Sequence, residues 1–188
     1  MEAFFVSTAL VAVAEIGDKT QLLALMLAAR YRKPLPILAG ILCATLANHA
    51  LAALIGAEVA AWVGAETMRW VLGVGFIVMA GWCLIPDKAD DGPQTARKAG
   101  AFLATLVAFF IVEIGDKTQI ATVALAARFH SLIAVTAGTT LGMLLANAPV
   151  VLFGDAIAKR LPLRIVRIVA ALLFVALGLA AILMPAAR

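Results

Sequence analysis

The heptapeptide EIGDKTQ occurs at Glu15–Gln21 and again at Glu113–Gln119. Each copy sets two carboxylates, a lysine and an amide inside a long apolar run. On a continuous helix, Glu15 and Asp18 share a face, as do Glu113 and Asp116, and Lys19 and Lys117 follow the glutamates by one turn. Charges at the centre of a bilayer cost at least about 2.5–3.5 kcal/mol each. These groups are therefore expected to face one another, or a water-filled path, between the helices that carry the two copies. Four carboxylates and two lysines leave a charge of −2, which one divalent cation would neutralise. Carboxylate and amide oxygens suit hard ions such as manganese, calcium or magnesium, and no thiolate or imidazole cluster favours zinc or copper. Without metal, such crowded carboxylates take up protons instead. Trading a metal ion for protons is the chemistry this set could perform.

The neighbouring residues carry two readings each. Gly17 and Gly115 serve close helix approach or local unwinding, or ordinary small-residue packing. Lys19 and Lys117 pair within the helix with the preceding glutamate, the reading the Glu-before-Lys order favours, or swing away to admit a cation. Gln21 and Gln119 are ligands or support for ligands, and Thr20 and Thr118 bond a cation or their own helix backbone. Asn48 and Asn147 offer amide oxygens or hydrogen bonds between helices, and their matched positions favour a place in the site. His49, with no histidine at the matching position, reads as a packed residue in preference to a proton relay.

These side chains need a scaffold, and composition says which. The chain has 188 residues, 64% hydrophobic, with mean hydropathy +1.06. A soluble core cannot absorb that much apolar surface. Six apolar stretches, roughly 3–29, 34–57, 68–85, 101–127, 132–154 and 163–184, are each long enough to cross a bilayer core, which needs about 20 helical residues. Their backbones must bond internally, so they are expected to be helices. The first lacks a basic leader and carries Glu15 and Asp18, so it reads as a retained span and not a signal peptide. Arg30–Pro34, the polar segment Pro86–Lys98 and Pro162 mark joints. Pro149 is expected to kink the fifth span, Gly138 and Gly142 are spaced for close packing, and Trp62, Trp70 and Trp82 lie near span ends. Cys43 and Cys83 read as packing residues.

Loop charge sets the expected orientation. Arg30, Arg32, Lys33, Lys88, Arg97, Lys98, Lys159, Arg160, Arg164 and Arg167 fall on one side, against Arg69, Arg128 and Arg188 on the other. The first side is expected in the cytoplasm, with both termini outside. The net charge of +4 is thus a topology signal and not a nucleic-acid patch.

The two heptapeptides lie 98 residues apart, and the register extends beyond them: Leu27–Arg30 returns at Leu125–Arg128, Gly40 as Gly138, Gly56 as Gly154, Arg69 as Arg167 and Phe76 as Phe174. The expected fold is an all-α integral membrane protein of six transmembrane helices, built from a three-helix unit over 1–92 and its repeat over 93–188. An odd helix number inverts the second unit, a pattern of secondary transporters with midplane sites. A duplicated scaffold without transport would have no reason to keep buried charge.

The stretches Glu15–Thr20 and Glu113–Thr118 both match E-x-G-D-(K/R)-(T/S). The chain resembles, over its whole length, the membrane family defined by that pair of motifs: cation/proton antiporters that include bacterial manganese exporters and eukaryotic Golgi calcium/manganese transporters. The resemblance implies Glu15, Asp18, Glu113 and Asp116 as metal ligands, Mn2+ or Ca2+ as cargo, protons as counter-ion, no resident cofactor, and a bacterial inner membrane as location. A calcium/proton exchanger is the nearest rival. A cation channel and an intramembrane carboxylate hydrolase are more distant ones, since neither needs duplicated acidic sets with lysines.

Overall fold

A computed structural model describes residues 1–85, 100–154 and 162–183. The polar segment with Lys88, Arg97 and Lys98, and the loop and terminal residues Lys159, Arg160 and Arg188, lie outside the described residues. All regular structure among the described residues is helical: α1 (Glu2–Glu15), α2 (Lys19–Tyr31), α3 (Pro34–Trp62), α4 (Ala65–Cys83), α5 (Ala101–Glu113), α6 (Lys117–Phe129), α7 (Leu132–Phe153) and α8 (Leu163–Leu183). By length and composition α3, α7 and α8 can each cross a membrane, and α5 is a shorter apolar helix.

The first and fourth apolar stretches are not continuous helices, which corrects the expectation for both. Each breaks inside the heptapeptide. Gly17 and Gly115 adopt φ of +81° and +76°, a left-handed backbone that side chains resist. The next residue restarts the chain as a helix cap: Asp18 and Asp116 sit at the N-caps of α2 and α6, and the Asp18 carboxylate accepts from the Lys19 amide. Gln21 and Gln119, three residues into each new helix, reach back to accept from the Gly17 and Gly115 amides at 2.9 and 2.7 Å. The motif is therefore a helix stop and restart, and Glu15 and Asp18 do not share a helical face.

The repeat is visible in the backbone. Helices α2, α3 and α4 begin at 19, 34 and 65, and α6, α7 and α8 begin 98 residues later. Left-handed caps recur at Arg32 and His130, each amide bonding back four residues. The halves interlock. Gly40 of α3 lies against the Phe102 carbonyl of α5, and Gly138 of α7 lies against the Phe4 carbonyl of α1. Contacts then advance together, Gly142 against Thr8 and Asn48 against Phe110, so α1 runs parallel to α7 and α3 to α5. The Gly138–Gly142 spacing thus does serve close packing. Pro149 lies inside α7, which continues to Phe153.

Helices α4 and α8 pair in the opposite sense, with Gly73 against Ile182 and Ile77 against Gly178. Phe76 and Phe174, repeat-equivalent residues, meet there with ring centroids 6.2 Å apart. Large apolar side chains also cover the outside, among them Leu51 and Ile55 of α3, Val78 of α4 and Leu172 of α8. That much exposed apolar surface marks a surface made for lipid. Trp62 is exposed at the end of α3 and Trp70 near the start of α4. Cys83 is buried among packed side chains, as expected, whereas Cys43 is exposed.

Candidate metal centre

The two breaks come together in the interior. Helices α1 and α5 end at Glu15 and Glu113, both fully buried, and their C-terminal dipoles place partial negative charge where the glutamates already stand. One carboxylate oxygen each from Glu15, Glu113 and Asp116 lies within 4.8 Å of the others. Asp18, the fourth acidic residue of the motifs, is outside that trio: its Oδ2 lies 3.0 Å from Lys117 Nζ.

The glutamates are held alike. Thr20 and Thr118 each donate a hydroxyl to the glutamate five residues back, at 2.5 Å, and do not bond their own helix backbone. That leaves Glu15 Oε1 and Glu113 Oε2 buried without a hydrogen-bond partner. A bare carboxylate oxygen away from water is costly unless something binds it. Each glutamate thus has one oxygen fixed and one offered.

The lysines do something the spacing did not suggest. Both lysines form ion pairs outside their own motif. Lys19 reaches across to Asp116 of the other half, and Lys117 to Asp18, both at 3.0 Å. The reason is the break, which rotates each lysine into a new helix and off the face of its glutamate. These crossed pairs balance two of the four carboxylates with two lysines. The residual charge of −2 falls on Glu15 and Glu113, a set of hard oxygens suited to one divalent cation.

Helices α3 and α7 frame the centre. Asn48 donates to the Phe110 carbonyl at 2.9 Å and accepts from Gln119 at 3.2 Å, which ties α3 to both segments of the second break. Gln21 donates to the Ala146 carbonyl of α7. The two glutamine oxygens are thus engaged as caps. Asn147 donates to Met143, and its Oδ1 is buried with no hydrogen bond. His49, read from sequence as packed in preference to a proton relay, is fully buried beside the trio of Glu15, Glu113 and Asp116, with Nε2 3.6 Å from Glu113 Oε1. No spacing rule places it beside Glu113, because the two motifs do not predict which residue of α3 meets them.

The two breaks differ in cover. A Cβ at Gly17 would lie 2.5 Å from Leu163 Cδ2 of α8, whereas nothing stands within 4 Å of the same position at Gly115. A small cleft lined by Ile16, Gly17, Cys83, Lys117 and Arg167 opens beside the first break.

Comparison with known proteins follows the same division of the chain. A family model described as "Divalent cation/proton antiporter GDT1" matches residues 3–91 and 101–187. A protein of Vibrio cholerae serotype O1 named "Putative manganese exporter" is 55% identical over 181 residues, covering 96% of this chain and 90% of that one. GDT1-like protein sll0615 of Synechocystis is 29% identical, covering 93% of both chains. GDT1-like protein 4 of Oryza sativa subsp. indica is 28% identical, covering 98% of this chain and 74% of its own. No solved structure matches. With both halves matched and the paired acidic breaks in place, this chain belongs to the GDT1 family of divalent cation/proton antiporters.

Proposed function

We propose that the protein exports Mn2+ from the bacterial cytoplasm across the inner membrane in exchange for protons, by alternating access around the centre formed by Glu15, Glu113 and Asp116. The observation that carries this reading is the pair of offered glutamate oxygens, one from each half, beside a third carboxylate and away from water. A divalent cation satisfies both glutamates at once, and protons satisfy them in its absence. A pocket that holds one or the other couples the two fluxes. Manganese as the cargo takes support from the Vibrio cholerae relative and from the all-oxygen acidic set.

The same proposal includes six membrane crossings as two inverted units, 1–92 and 93–188. Its support is the antiparallel α4–α8 pair with Phe76 on Phe174. A two-fold relation that brings equivalent residues together on antiparallel helices must have its axis across those helices, in the plane of the membrane. The basic residues then favour a cytoplasmic Arg30–Lys33 turn with both termini outside. Asp18 belongs to the proposal as the partner that holds Lys117, with ligation open to it when that pair parts.

The test is a metal panel in sealed proteoliposomes carrying a pH-sensitive dye. Addition of Mn2+ should move protons in the opposite sense, more strongly than Ca2+, Mg2+ or Zn2+. Metal flux without proton counterflow would identify a channel and defeat the proposal.

A further inference from the structure

We propose that His49 is a nitrogen ligand of the transported ion and biases the centre toward a first-row transition ion over Ca2+ and Mg2+. The inference rests on the export reading above and deepens it.

Four observations converge on this imidazole. It is fully buried on α3, at the break of the second half. Neither ring nitrogen has a hydrogen-bond partner. Buried imidazoles are ordinarily held by at least one such bond. Its Nε2 lies 3.6 Å from Glu113 Oε1, the oxygen that accepts from Thr118 and keeps a second lone pair for a ligand; the gap is too long for a hydrogen bond and fits two atoms that share a third partner. Neighbouring ligands of an octahedral ion with bonds of about 2.1 Å stand about 3 Å apart, and opposite ones about 4.2 Å. The observed separation falls between these limits. Finally, the position is asymmetric: the matching residue in α7 is Asn147 or Ala148, so the second half brings no imidazole.

The chemistry gives the consequence. The carboxylates would accept Mn2+, Mg2+ and Ca2+ alike, because all are hard and oxygen-seeking. Imidazole nitrogen adds affinity for transition ions and little for Ca2+ or Mg2+. One such ligand in an otherwise all-oxygen set discriminates without binding so tightly that release fails. With Nε2 on the metal, the ring proton sits on Nδ1.

Pulsed electron paramagnetic resonance of Mn2+ bound to the full-length protein in detergent reads this directly. Cells fed histidine carrying the heavy nitrogen isotope should give a protein whose manganese nitrogen coupling changes isotope. His130, the other histidine, caps the opposite end of α6, about 20 Å away by helix rise, and cannot contribute. His49→Gln should abolish the coupling while Mn2+ still binds, and should lower the Mn2+ to Ca2+ affinity ratio about tenfold in vesicles. Bound manganese with no histidine coupling in the wild-type protein overturns the inference and leaves the export reading standing. An unchanged metal ratio in a folded His49→Gln protein overturns it equally. If that variant fails to fold, the isotope experiment on the wild type decides alone. Wild-type vesicles that move no protons with any cation defeat the export reading, and the spectrum still answers for His49.

Discussion

Lys19 of the first half lies 3.0 Å from Asp116 of the second, and the reciprocal pair, Lys117 with Asp18, has the same separation. The lysine of each motif is thus paired with the aspartate of the other. The pairs differ in exposure. The Lys117 side chain is 5% exposed and Lys19 20%. Removing one partner of a buried pair strands the other and costs about 3–5 kcal/mol. Lys117→Ala should therefore destabilise the protein by about 3 kcal/mol or more in detergent unfolding, and Lys19→Ala by clearly less. Adding Asp18→Asn to Lys117→Ala should recover much of the loss. Equal costs for the two lysines, or no recovery, would contradict the crossed arrangement.

Glu15→Gln and Glu113→Gln each remove one of the two offered oxygens' charges. Both should abolish Mn2+-dependent proton movement in proteoliposomes while leaving the protein folded in the membrane. Asp116→Asn should do the same. Full exchange by any of them would take that residue out of the centre.

Thr20→Val and Thr118→Val keep shape and delete the hydroxyl that fixes each glutamate. A hydrogen bond to a charged group contributes about 1.5–3 kcal/mol. Each variant should weaken apparent Mn2+ affinity about tenfold, with the maximum rate less affected. Metal titration of the proton signal checks this.

Gly17→Ala and Gly115→Ala meet the same left-handed backbone, a strain of about 1–2 kcal/mol. Only Gly17 has Leu163 against it. Gly17→Ala should therefore lower the thermal midpoint further than Gly115→Ala. Matching midpoints would mean that Leu163 leaves Gly17 at little cost.

Composition made the helical class legible, and the spacing of 98 residues made the repeat legible down to helix starts. The acidic residues stood out because apolar surroundings make charge conspicuous. The break was one of several readings of Gly17 and Gly115, local unwinding against close packing, and its other signals went unused. Gly, then Asp, then Gln three residues on is a stop, a cap and a back-reaching amide. Apolar periodicity on both sides overrode it. The wrong helix then gave the wrong partners for Lys19 and Lys117, since one altered backbone angle redirects everything after it. His49 was noticed, but its placement was illegible for another reason: which residue of α3 faces the second break depends on how far the helices slide past each other, and no local pattern encodes that.

Helix α1 finds its close partner in α7, and α5 finds its own in α3. Neither half, then, closes around its own leading helix. A polypeptide ending at residue 85 would leave the groove of α3 unfilled and α1 unclasped. Its remedies are the missing half or a second copy of itself turned over. Two separately synthesised halves should accordingly find each other in one bilayer, the seam between them being the most specific surface either one owns.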